Sequence, residues 1–169
     1  MRKTLLVCIL AVMVFACKSA PVEPATQTPV SNAPTSKLDR STQVGMKGNW
    51  QITSVTFPGS EYIKVNSFNL ADSKCFIGST WNFISNNNKG TMTLNSPNCT
   101  GFTSAITWYV NKEGQFVLKI LDEGLKSRKV KTGFVLAVTN QSENSFQLID
   151  KISVGNNPTD VVYEFQRAN

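Results

Sequence analysis

No histidine occurs in the 169 residues. That absence removes the imidazole on which Ser-His and Cys-His catalysis relies as general base. Acidic side chains are also few, 11 against 17 lysines and arginines, and they form no recognisable dyad in sequence. Glu164 on the last strand could face inward, but nothing pairs with it. The chain reads as a non-enzyme, with no catalytic residue and no cofactor. Long apolar runs are missing as well. The longest, LLVCILAVMVFA from Leu5 to Ala16, has twelve residues, whereas a helix needs about 20 to span a bilayer.

Arg2 and Lys3 precede that run and a small residue, Ala16, ends it. A charged start, a short apolar stretch and a small terminal residue describe a secretory signal over residues 1–16. A buried core helix would carry polar residues on one face, and this stretch has none. Its end, Val14-Phe15-Ala16-Cys17, resembles the lipobox of bacterial lipoproteins, with Phe15 a less usual occupant of its position. The resemblance implies cleavage before Cys17, a lipid on its thiol and an acyl chain such as palmitate on its amine. One acyl chain gives marginal attachment, while two or more hold a protein stably on a membrane. Lys18 stands where an aspartate would mark inner-membrane retention, so the resemblance implies the outer membrane, on either face.

With Cys8 lost in the signal and Cys17 lipidated, Cys75 and Cys99 remain of the four cysteines. Two leftover cysteines in an exported chain predict one disulfide. Closing a loop of 24 positions contributes roughly 3 kcal/mol in the loop-entropy model. A metal site would need more ligands than two cysteines without histidine supply, so none is expected. Residues 17–45 then read as the lipidated cysteine and a flexible tether. Prolines at 21, 24, 29 and 34 punctuate a stretch of Ser, Thr and Ala without aromatics, a composition that cannot bury enough apolar surface to order itself.

Residues 46–169 make one domain and read as eight strands: Trp50–Phe57, Ile77–Ser85, Lys89–Asn95, Thr103–Val110, Gln115–Leu121, Thr132–Thr139, Ser145–Lys151 and Val161–Arg167. Turn signals separate them, among them NNNKG at 86–90, NKEG at 111–114 and VGNNPTD at 154–160. Short β-rich runs without room for a crossover helix predict an antiparallel up-and-down meander closing into a barrel, all-β, with a long first loop at 58–76. At most one short helix is expected, around Asn66–Ser73. In the 86–90 hairpin the expected register pairs Phe83 with Met92 and Trp81 with Leu94, which gathers four apolar side chains on one face. It leaves Cys99 opposite Phe76, so the disulfide would need a bulge near Pro97.

Gly48-Asn49-Trp50, at the head of the first strand, resembles the G-x-W motif of lipocalins. The resemblance implies a Trp50 side chain across the closed end of the barrel beneath Arg167, a contact worth about 0.5–2 kcal/mol. It also implies a lid in the 58–76 loop. Thr159-Asp160 echoes another family motif one strand out of place, and no role is carried over to it. Candidate pocket residues are Trp81, Phe83, Met92, Trp108, Phe116, Phe134, Phe146 and Tyr163. Side chains of an eight-stranded barrel either hold one small ligand or fill the interior outright, and aromatics on strands more commonly do the second. Strands Phe116–Leu121 and Phe134–Val138 are apolar on both faces. A short helix, the tether or a partner must cover their outer faces, which leaves a dimer open. The basic run Lys126-Ser127-Arg128-Lys129-Val130-Lys131 reads as a solvated loop that could draw anionic headgroups; nucleic acid is not an expected partner of an exported lipoprotein. The leading expectation is an envelope lipoprotein whose barrel binds a small hydrophobic or amphipathic molecule. The alternative is a structural or interaction protein of the envelope with a filled barrel.

Overall fold

Alternation of buried and exposed residues runs through each strand and gives the sheet one apolar face. A sheet with one apolar face and eight strands can bury it by closing on itself. The computed structural model describes residues 39–60, 63–121, 124, 126–154 and 157–168, and within them the chain does so. Strand β1 (Gly48–Thr56) is followed by a small hairpin, β2 (Asn66–Ser67) and β3 (Ala71–Asp72), and a 3-10 turn at Ser73–Phe76. The meander then continues through β4 (Thr80–Ile84), β5 (Lys89–Leu94), β6 (Phe102–Val110), β7 (Gln115–Ile120), β8 (Phe134–Thr139), β9 (Ser145–Val154) and β10 (Asn157–Arg167). All ladders are antiparallel, and β1 pairs with both β4 and β10 to complete the ring.

Strand direction gives the barrel two unlike ends. One carries the start of β1, the turns at 85–88, 111–114 and 140–144, and the end of β10. There a six-residue helix, α1 (Arg40–Gly45), packs across the opening. Asp39 caps it by accepting from the Ser41 and Thr42 amides. Those hydroxyls and amides hold the Asp39 carboxyl below its usual range. Gln43 is buried and donates to the Ser85 carbonyl and Asn88 Oδ1, while its own carbonyl oxygen accepts from the Val110 amide. The opposite end, the mouth, carries the long connection after β1, the 95–101 turn and the basic connection after β7.

Five expectations need correcting. The tether does not extend to residue 45: Asp39 to Gly45 belong to the folded domain, because a capped helix with a buried glutamine docks there. The short helix expected at Asn66–Ser73 is instead the β2–β3 hairpin and the 3-10 turn. The β4–β5 pairing is Trp81 with Met92, Phe83 with Gly90 and Ile84 with Lys89, two residues away from the expected register. A slip of two keeps every side chain on its face, and it sets the Phe83 ring opposite a residue with no side chain. The bond between Cys75 and Cys99 is present, with the Cα atoms 5.8 Å apart. It joins the 3-10 turn to the turn following β5 and needs no bulge in the ladder. The last hairpin is also longer than expected: β9 and β10 extend through most of the 154–160 turn signal, with Pro158 near the start of β10 opposite Ser153, a position that tolerates a residue without an amide proton.

Candidate functional site

The inner face is lined by aromatic rings that fall into two groups. Toward the α1 end, Trp50, Trp81, Phe83, Trp108, Phe116, Phe146 and Phe165 form one connected network centred on Phe83. Phe146 stacks on Phe165 at 4.6 Å, Phe83 meets Trp108 at 4.8 Å and Phe116 at 5.6 Å, and Trp50 meets Phe146 edge-on at 4.6 Å. Each of these seven is at most 3 % exposed. Offset and edge-to-face pairs at such distances add about 0.5–1.5 kcal/mol each beyond burial. Five of the expected pocket residues, Trp81, Phe83, Trp108, Phe116 and Phe146, therefore pack against one another, and Met92 is fully buried in the same core.

Polar atoms of this group are satisfied inside the wall. The Trp50 indole donates to the Met46 carbonyl, Trp81 to Ser79 Oγ and Trp108 to the Lys89 carbonyl. Arg167 lies over Trp50 with its guanidinium carbon 4.3 Å from the ring centroid. It also donates to the carbonyls of Gly45, Lys47 and Glu143. Gly48 makes this possible: its φ is +118°, and a Cβ there would meet the guanidinium at 2.8 Å.

The second group sits at the mouth. Phe68, from the turn between β2 and β3, drops into a ring of three aromatics: Phe76 at 5.2 Å, Phe134 at 5.1 Å and Tyr163 at 5.3 Å. The two remaining pocket candidates, Phe134 and Tyr163, are thus brought together here, apart from the other six. Tyr163 donates its hydroxyl to Ser67 Oγ, and burial pushes its pKa well above the ordinary tyrosine value. Phe68 and Asn69 both have φ near +55°, a region costing a non-glycine residue of order 1 kcal/mol or more. Burial of Phe68 and the Ser67–Tyr163 bond offset it.

One ionisable group lies on the inner wall beside this cluster. Asp150 pairs with Val161, which is fully buried, and alternates with Phe146, Leu148 and Ile152 on the inward face of β9. Burial raises its carboxyl pKa. Glu164, the expected inward acid, lies between inward Tyr163 and Phe165 and so faces out. Asp150 shares the two-residue spacing of Phe146 and Leu148, but alternation gives a lone carboxylate there no distinguishing signal. Phe165 was legible by its two-residue spacing from Tyr163, whereas Phe68 and Phe76 sit in a connection whose path no alternation reveals.

Outside the barrel, three concavities bounded by described residues measure about 230, 410 and 270 Å³. The largest lies between α1 and the 85–88 turn, lined by Arg40, Gln43 and Asn88 among others. Among the described residues, no three acidic or cysteine side chains are grouped to hold a metal. On the outer face of the doubly apolar strands, Val117 is buried and Val135 is 52 % exposed. Lys126, Arg128, Lys129 and Lys131 are exposed, with Ser127–Lys129 in a 3-10 turn. Compared with known proteins, the chain matches no family model, and no curated protein aligns with it significantly.

Proposed function

We propose that the protein is a non-enzymatic, lipid-anchored envelope lipoprotein, held at the outer membrane through Cys17, whose barrel is a filled scaffold. The observation that carries the scaffold reading is the continuous contact of seven buried rings from Trp50 to Phe165. A deep ligand would have to displace side chains whose burial contributes about 1.5–3 kcal/mol each. The anchor rests on the signal-like residues 1–16 and the lipobox resemblance, which lie outside the described residues. Replacing Cys17 with Ser tests it: incorporation of labelled palmitate should be abolished and the signal left uncleaved. Wild-type protein that takes up no label would overturn the anchor.

A specific observation favours a second reading, in which a small apolar or amphipathic molecule binds at the mouth. Phe68 arrives there on a separate hairpin with unfavourable backbone angles, so its removal leaves the strands of the barrel intact. Native mass spectrometry of the solubilised protein across a small-molecule panel tests this reading. Retention of no member by either wild-type protein or Phe68→Ala would leave the scaffold alone.

A further inference from the structure

The three rings around Phe68 and the carboxylate beside them have a chemistry of their own. Phe76, Phe134 and Tyr163 surround one central point, and Phe68 occupies it at 5.1–5.3 Å from each, stacked on the Tyr163 face and at right-angled edge contacts with Phe76 and Phe134. Strand β9 runs between β8, which carries Phe134, and β10, which carries Tyr163. Asp150 and Tyr163 are diagonal neighbours on the inner face, because Asp150 pairs with Val161 two residues before Tyr163. Diagonal side chains on one sheet face lie within reach of each other. Asp150 makes no side-chain hydrogen bond or ion pair to another described residue, and its raised pKa has burial as its one cause.

A half-buried carboxylate without a partner is costly, and the Tyr163 face on which Phe68 now stacks would attract a cation in its place. Together they suit one ligand class. We propose that the mouth is a binding site for a small organic cation, an alkylammonium or quaternary ammonium group, which replaces the Phe68 ring in the cage and takes Asp150 as its counter-charge. The proposal rests on the second reading above and names its ligand chemistry. Phe68 is the resident occupant, held by Ser67–Tyr163 and opposed by its own backbone. Binding therefore selects the fraction of molecules in which the β2–β3 hairpin has lifted, and the apparent dissociation constant is raised by the inverse of that fraction.

Charges facing Asp150 do not oppose this. From β8 the inward residues are Phe134, Leu136 and Val138, and from β10 Thr159, Val161 and Tyr163. Of these only Tyr163 ionises, and it stays neutral across the physiological range. The basic residues at 126–131 belong to the same end but are exposed. Salt screens exposed charges over about 10 Å, while a half-buried carboxylate is screened much less.

The test uses the full-length mature protein in a maltoside detergent free of ammonium headgroups. Choline is titrated by calorimetry against its uncharged isostere 3,3-dimethylbutan-1-ol and against hexanoate. Expected are saturable choline binding, preference over the isostere, and no hexanoate binding at the mouth. Phe68→Ala should tighten choline binding on the order of tenfold, and Asp150→Asn should remove the preference for the charged probe. Near-UV circular dichroism checks that each variant is folded. Should Phe68→Ala fail to fold, Ser67→Ala, which loosens the hairpin and leaves Phe68 in place, should still bind choline more tightly than wild type. Equal binding of choline and its isostere, or tighter binding of hexanoate, overturns the cation site and leaves the mouth reading standing. Absence of binding by any probe to wild type and both hairpin variants overturns both.

Discussion

Asp150 and Arg167 mark opposite ends of the barrel and opposite electrostatic situations. Arg167 spreads its charge over the Trp50 ring and three carbonyls. Arg167→Lys keeps the charge and loses the planar fork, so it should lower the melting temperature by an amount corresponding to about 1–2 kcal/mol. Asp150 is half-buried with no side-chain partner among the described residues, and partial desolvation puts its folded pKa above the unfolded value. At pH well below 4 both states are protonated and the residue is neutral toward stability. As pH rises through the unfolded and then the raised folded value, the folded state becomes progressively less stable. Asp150→Asn should therefore raise the melting temperature at pH 7 and leave it nearly unchanged at pH 3. Melts at both values check the sign, and an equal gain at both would assign it to packing instead. Gly90 tests the corrected register: a Cβ there would press into the Asn82 carbonyl and lie 3.1 Å from Ile106. Gly90→Ala should destabilise by about 1–3 kcal/mol in denaturant unfolding, where the register first expected would have left Gly90 outside the Phe83 pair.

At the level of elements, the strands were legible because alternation is a property of residues close in sequence. Residues 103–110, for example, carry their inward set Ser104, Ile106, Trp108 and Val110 in plain order. What escaped was decided by contacts distant in sequence. Helix α1 lies in a segment of tether-like composition, and it is ordered by Ser85, Asn88 and Val110, each more than 40 residues away. The β2–β3 hairpin carries helix-tolerant residues, but the demand for Phe68 in the mouth overrides them. Two element-scale outcomes follow. A chain starting at residue 46 should unfold at lower denaturant than one starting at 39, since it loses the α1 cap. Replacing both Cys75 and Cys99 with Ser should cost roughly 3 kcal/mol. Amide exchange should then rise most in the 63–76 segment, which the bond ties to the turn after β5.

For the whole molecule, the two ends divide the work. The chain enters at the α1 end, where Asp39 donates its amide to the Val110 carbonyl, and the mouth lies at the far end of the strands. The ring is completed by the β1–β10 ladder, from Trp50 with Arg167 to Thr56 with Val162. Every other ladder of the barrel joins strands consecutive along the meander, so this seam alone links the beginning of the fold to its end. That arrangement sets an order in time. Pairings between nearby residues form early, whereas loop-closure entropy delays those spanning a hundred residues. A chain delivered from its N-terminus exposes one edge of β1 until the last eleven residues of strand arrive. Up to that moment the partly made sheet is open and able to pair with another copy, and aggregation during delivery is a race that β10 ends.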